Sequence, residues 1–224
     1  MDIQKNAEMV LDKVLNKGAV GDLIIDESES LSLSARDGQL EEYKISSSQV
    51  FGLRVIKDNK VGTAYSEASD GEALAAMVDQ AFTNAGFATE DEHEAIIDNR
   101  EELSTDDDFF CPNDESTVEQ KIDTILGLEA SLLNKNKIKN VPYNGIQSGK
   151  GSRQIYSTAG LFARSSAKSN SCYAYALMEE GDMNVMEGCG QAGRMFSEID
   201  ATAIATEVYQ RCEEILEGKP VESK

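Results

Sequence analysis

Leu31-Ser32-Leu33-Ser34-Ala35-Arg36-Asp37-Gly38-Gln39-Leu40-Glu41 alternates apolar and polar residues up to Asp37-Gly38 and then turns back on itself. A period of two is that of a strand with one face buried, and Asp-Gly supplies the positive φ angles that a two-residue hairpin turn needs. The stretch therefore predicts an antiparallel hairpin, returning through Gln39 to Ile45.

The same period continues downstream. Val50 to Ile56 alternates again, Lys57-Asp58-Asn59-Lys60 is a polar turn, and Val61 to Ser66 makes the next strand. Helical spacing brackets this meander. Upstream, Ile3, Ala7, Val10, Leu11 and Val14 predict a helix over Ile3 to Lys17, with Asp2 as its cap and Gly18 as its stop. Downstream, Asp70 caps a helix whose stripe is Leu74, Met77, Val78, Ala81 and Phe82, closed by Gly86.

From Glu90 to Glu115, twelve of the 26 residues are acidic and only Arg100 is basic, so this segment reads as a surface crossing. Ser116 and Glu119 have capping-box spacing ahead of a helix carrying Val118, Ile122, Ile125, Leu126, Leu132 and Leu133. A second meander is expected as Val141 to Gln147, Arg153 to Ser157, Leu161 to Ser166, Cys172 to Met178 and Met183 to Glu187. Its turns fall at Lys150-Gly151, Ala159-Gly160 and Glu180-Gly181. A last helix, capped near Asp200, stacks Ile204, Val208, Cys212, Ile215 and Leu216 and ends at Gly218.

Both halves thus read helix, antiparallel meander, helix. The expectation is an α+β fold, a mainly antiparallel sheet covered by helices, with half-repeats at about 1–87 and 116–218 and an acidic crossing at 88–115.

Composition narrows the function. With 41 acidic against 21 basic residues the formal charge is −20, a field that repels phosphate backbones and anionic lipid, so no nucleic acid and no membrane is expected as a partner. No run approaches the ~20 apolar residues of a membrane span, and Met1 to Asn6 lacks the pattern of a signal peptide, which points to the cytoplasm.

Candidate catalytic and metal residues are few. His93-Glu94 resembles the start of a metalloprotease helix, but the second histidine one turn on is missing, and the chain has one histidine in all. Cys111, Cys172, Cys189 and Cys212 are widely spaced and read as reduced structural thiols. Asp106-Asp107-Asp108 lacks the ligand alternation of a calcium loop. Gly188, Gly190 and Gly193 suit a bulged strand end better than a phosphate loop. The serines between Ser28 and Ser48 have no base beside them. Arg54 and Arg164 lie inside strands, where a guanidinium needs a carboxylate or carbonyl partner and can fix the geometry of a groove or interface. The expectation is therefore that this chain contributes no catalytic, cofactor-binding or metal-binding residue.

The order of Leu31 to Glu41, then Gly52-Leu53-Arg54-Val55, then Val61-Gly62-Thr63-Ala64-Tyr65-Ser66, resembles the amino-terminal domain of the TldD/PmbA family, in particular its PmbA branch, also called TldE. Tyr156-Ser157-Thr158-Ala159-Gly160-Leu161 and Met178-Glu179-Glu180-Gly181-Asp182-Met183 extend the likeness through the second half.

The resemblance implies a subunit of a heterodimeric zinc metallopeptidase acting on unfolded peptides, whose older naming is modulator of DNA gyrase. It implies that the TldD subunit carries a His-Glu-x-x-x-His zinc motif in a carboxy-terminal domain, which is absent here, and that the TldE subunit lacks the motif. Zinc would there activate a water, with the motif glutamate as base and substrate extended along a sheet edge. For this chain it implies a non-catalytic, architectural part, partnered by a TldD-like subunit or by itself. The alternatives are a stand-alone protein-binding module and the amino-terminal part of a TldD-like catalytic subunit.

Overall fold

The computed structural model describes residues 3–97, 102–104 and 106–218. The element order is α1 (Ile3–Asn16), β1 (Val20–Arg36), β2 (Gln39–Lys57), β3 (Lys60–Ser66), α2 (Gly71–Phe87), β4 (Glu102–Ser104), α3 (Asp107–Phe110), α4 (Val118–Leu133), β5 (Ile138–Ser157), β6 (Phe162–Glu180), β7 (Met183–Gly193) and α5 (Ala201–Leu216). The strands form one mainly antiparallel seven-stranded sheet in the order β3-β2-β1-β5-β6-β4, with β7 also on β6, and helices flank it. The expected α+β class is the one found.

Three hairpin turns lie where the sequence places them. Asp37 and Gly38 have φ of 55° and 74°, and Asp58 and Asn59 have φ of 52° and 57°, so both two-residue turns use the left-handed region. Gly181 makes the third, at φ 61°. The caps at Asp70 and Asp200 also form, each accepting two backbone N–H bonds. Asp2 lies outside the described residues.

Other expectations need correction. Arg153 to Ser157 does not follow a turn: β5 runs unbroken through Lys150-Gly151, and Gly151 does not adopt positive φ. β6 likewise joins the two strands expected at 161–166 and 172–178, and β2 joins Gln39 to Ile45 with Val50 to Ile56. The polar serine stretches stay extended because neighbouring strands satisfy their backbone, a long-range effect that local composition does not encode. Gly86 does not close α2, which continues to Phe87. The cap of α4 is Thr117 with Gln120 in a reciprocal capping box, one residue beyond Ser116 and Glu119.

Two compact units result, each assembled from three separate segments. The first comprises 1–29, 47–107 and 151–167, the second 30–46, 108–150 and 168–224. In the first, Leu23 and Ile25 of β1 and Phe51, Leu53 and Val55 of β2 bury their alternate side chains against Val10 and Val14 of α1 and Leu74, Val78 and Ala81 of α2. Gly62 sets the distance there, because a Cβ on it would come within 2.0 Å of the Ala81 carbonyl oxygen.

In the second unit, Leu33, Ala35, Ile146, Cys172, Ala174 and Ala176 pack against Ile125, Leu128 and Leu132 of α4 and Ile204 and Val208 of α5. Val141 and Ile146 both reach this core although an odd number of positions separates them. Between them the buried Asn144 side chain bonds the backbone of Ala35 in both directions. The buried Glu129 carboxylate accepts the N–H groups of Asp37 and Gly38 at 2.9 and 3.0 Å, tying the first hairpin turn to α4.

The acidic crossing is anchored rather than loose at its described points. Leu103 pairs in parallel with Ala163 of β6, and the Asp91 N–H donates to the Asn59 carbonyl. Asp114 accepts the backbone N–H groups of Ser116 and Phe196 and the Asn170 amide. Burial pushes the Asp114 carboxyl up, but hydrogen bonds from Ser116 and Phe196 and the charge of Lys121 outweigh it and hold it below the usual carboxylate range. The Ser116 hydroxyl is buried outside hydrogen-bond geometry, so the backbone N–H groups are the operative donors.

Candidate functional site

Arg54 is the basic residue whose setting is most defined. On the strand face opposite the first unit's core, its guanidinium grips Asp22 with Nε to Oδ1 at 3.1 Å and Nη2 to Oδ2 at 2.6 Å, and reaches Glu94 at 3.5 Å. The hydrogen bond to Asp22 holds the guanidinium above its ordinary pKa, against the effect of partial burial, so the guanidinium stays charged. It borders an open cleft of about 760 Å³ that also touches Ile24, Tyr65, Gln80 and Asn84. The cleft offers apolar surface, amides and a fixed ion pair. Among the residues that line it, none is a nucleophile with a base beside it.

Arg164 is placed less tightly. Its Nη2 lies 3.3 Å from Asp107, an exposed pair that joins β6 to the middle of the Asp106-Asp107-Asp108 run. His93 is almost wholly exposed and 4.0 Å from Glu92. Among the serines, Ser28 bonds Ser48, and Ser32 and Ser34 donate to Glu42 and Glu41, so these hydroxyls serve the strand surface. A groove of about 410 Å³ in the second unit gathers Ser30, Ser46, Ser148 and Ser171 with Glu42 and Lys44.

The four cysteines are free thiols. Burial pushes the Cys172 thiol up to about 12, and Cys189 is raised by burial and by Glu207, the opposite of what a reactive thiolate requires. Gly188, Gly190 and Gly193 do not form a bulge: β7 pairs with β6 in unbroken register from Asn170 opposite Gly193 to Glu180 opposite Met183. The glycines at 188 and 190 are required because Tyr175 and Tyr173 stand directly opposite them. These tyrosines, with Tyr143, were not singled out in the sequence. The available signal was Tyr-x-Tyr in one strand facing Gly-x-Gly in the next.

Among the described residues no cluster of three or more His, Cys, Asp or Glu side chains is placed to hold a metal ion. A zinc of the hydrolytic kind takes three protein ligands, and one solvent-facing imidazole with dispersed thiols does not fit it. None of the described helices is long and apolar enough to cross a membrane.

Comparison with known proteins agrees with the fold. Residues 21–85 match the PmbA/TldA metallopeptidase domain 1, and residues 111–214 match the PmbA/TldA metallopeptidase central domain. No curated protein matches by sequence. Among solved structures, the chain is similar to a proposed modulator of a DNA gyrase from Thermotoga maritima, with 15% identity and a TM-score of 0.87 over 100% of this chain and 50% of that one. TldE from Thermococcus kodakarensis aligns with 15% identity and a TM-score of 0.78 over 93% of this chain and 47% of that one. A proposed modulator of DNA gyrase from Bacteroides thetaiotaomicron gives 16% identity and a TM-score of 0.78 over 98% and 51%. The chain spans about half the length of these structures.

Proposed function

The chain belongs to the PmbA/TldD metallopeptidase family, and from that premise we propose that it is the non-catalytic amino-terminal part of a TldE/PmbA-like subunit. The complex would be a TldD/TldE-type zinc metallopeptidase acting on unfolded peptides in the cytoplasm. The observation that carries this reading is the donor inventory: the chain has one histidine, and its side chain is 87% exposed. Zinc and the bond-breaking step belong to a TldD-like partner, while this chain supplies walls and contact surface. The Arg54–Asp22 pair serves that role by fixing the floor of its cleft. Residues 1–224 form one domain on this reading, with half-repeats at about 1–87 and 116–218.

The test is metal analysis and peptide cleavage on the purified chain, alone and mixed with a full-length TldD-like protein. The chain alone is expected to retain no stoichiometric zinc and to leave an unfolded peptide intact, and to co-elute with the TldD-like protein. One tightly held zinc per chain, or cleavage by the chain alone with contaminating proteases excluded, overturns the reading.

A further inference from the structure

On the face of the first unit turned away from its core, β2 and β3 leave a slot. Their antiparallel register sets Gly52 opposite Tyr65 and Arg54 opposite Thr63, and such cross-strand partners share one face of the sheet. Gly52 therefore puts no side chain beside the Tyr65 ring, and a Cβ there would meet only the Ile24 carbonyl oxygen, 4.0 Å away. Glycine inside a strand costs roughly 0.5–1 kcal/mol relative to alanine. Gly62 must be glycine because α2 comes so close to it, whereas nothing packed against Gly52 demands one. What Gly52 does provide is room, in the cleft of about 760 Å³ described above. That volume falls in the range of about 300–1,000 Å³ typical of small-ligand sites.

Around the slot the side-chain donors are engaged and acceptors are left over. All three guanidinium nitrogens of Arg54 face carboxylates, Nε and Nη2 on Asp22 and Nη1 on Glu94. Gln80 donates through Nε2 to Asn84 Oδ1, and Asn84 donates through Nδ2 to the Thr63 carbonyl. Among the described residues, no hydrogen-bond donor meets Gln80 Oε1 or Glu94 Oε1. A carboxylate has about four acceptor positions, so Asp22 also keeps some open beyond its two bonds to Arg54. Charge is unbalanced in the same sense, because one guanidinium stands against the two carboxylates of Asp22 and Glu94.

Tyr65 adds an aromatic wall. It is 73% exposed, and among the described residues no cation of the chain lies over its ring. Other rings are covered from within: Phe82 by Lys17 and Lys57, Phe196 by Lys121 and Tyr209 by Lys135. An apolar floor at Ile24, an open ring and unmet acceptors in a negative setting suit one kind of ligand, a cationic nitrogen group on an aliphatic stem. The stem lies along Gly52 and Ile24, the ring takes the cation on its face, and the free oxygens accept its N–H groups. An anion would face the carboxylates instead.

We propose that this slot binds a guanidinium or ammonium group on an aliphatic stem, carried by a free small molecule or by an arginine or lysine side chain of a polypeptide. The site goes beyond the subunit reading and is independent of it, since every group named lies within the first unit of this chain.

NMR titration of the isotope-labelled full chain tests it. The probes are agmatine, a blocked glycine-flanked arginine peptide, and the same peptide with uncharged citrulline in place of arginine. Agmatine or the arginine peptide should shift the Gly52 and Tyr65 amides saturably, less so as salt is added, and the citrulline peptide should not. Whichever of the two cations saturates at the lower concentration identifies the source as free or peptide-borne. Tyr65→Leu should weaken binding about two- to fivefold. Glu94→Gln should weaken it by up to about fivefold, and Gly52→Leu should abolish it by filling the slot. Should Gly52→Leu unfold by circular dichroism, the other two variants carry the test. The proposal is overturned if neither cation gives a saturable shift at millimolar concentration or if the citrulline peptide binds as well. It is equally overturned if folded Tyr65→Leu and Glu94→Gln chains both bind like the wild type. Because the chain is titrated alone, each of these failures leaves the zinc and co-elution tests of the subunit reading untouched.

Discussion

The side-chain amide of Asn144 replaces a peptide unit opposite Ala35, accepting its N–H through Oδ1 at 2.8 Å and donating to its C=O through Nδ2 at 2.8 Å. It does so where β5 shifts its alternation by one place, between the buried Val141 and Ile146. Asn144→Leu leaves both Ala35 groups buried and unmet, each costing about 1–3 kcal/mol, so a loss of about 2–4 kcal/mol is expected in denaturant titration. Asn144→Asp should lose nearly as much, since a carboxylate can take the N–H but cannot donate to the carbonyl. A stability unchanged in Asn144→Leu would show that the pairing carries no weight.

Glu129 works on the same hairpin from the helix side. Because hydrogen bonds to a charged group contribute about 1.5–3 kcal/mol, Glu129→Ala should lower stability by about that much, with Glu129→Gln intermediate. Amide exchange at Asp37 and Gly38 is the specific readout, and both should exchange faster in Glu129→Ala than in the wild type.

Gly62 and Gly52 offer a matched comparison in neighbouring strands. A Cβ at Gly62 collides with the Ala81 carbonyl and with Ala85, whereas at Gly52 the nearest atom is 4.0 Å away. Overpacking of this kind costs about 1–3 kcal/mol or more, so Gly62→Ala should lower the midpoint of thermal unfolding clearly. Gly52→Ala should stay within about 0.5 kcal/mol of the wild type. Equal effects would mean that strand entropy, not the approach of α2, sets the need for glycine.

Asp114 links acid sensitivity to the crossing. Its carboxyl is held below its unfolded value of about 3.9, so the ionised form stabilises the native state fully above that pH and the contribution is lost as pH falls through the native value. Asp114→Asn should therefore be less stable than the wild type at neutral pH, with the gap closing below about pH 4. A gap that stays constant down to acid unfolding would remove Asp114 as the cause.

Turns and caps were legible because single residues decide them: Asp37-Gly38 by positive φ, Asp70 and Asp200 by a side-chain acceptor next to free N–H groups. Strand lengths were not. Lys150-Gly151 has the composition of a turn, and only hydrogen bonding from adjacent strands keeps it extended. The ion pair at Arg54 could be anticipated from a cation in a strand, but its partner Asp22 depends on β1 lying beside β2. The tyrosines opposite glycines were hidden for a related reason: Tyr175 meets Gly188 through register, which is a property of the pair of strands.

The outlying strands β3 and β7 each have a carbonyl already taken. Asn84 of α2 donates to Thr63 of β3 at 2.8 Å, and Arg211 of α5 donates to Gly188 of β7 at 2.7 Å. A sheet of this size invites open-ended polymerisation by strand addition, and polar side chains posted on its margins raise the barrier to it. A chain deprived of both guards, Asn84→Ala with Arg211→Ala, should scatter light and bind amyloid dyes sooner on warming than its parent.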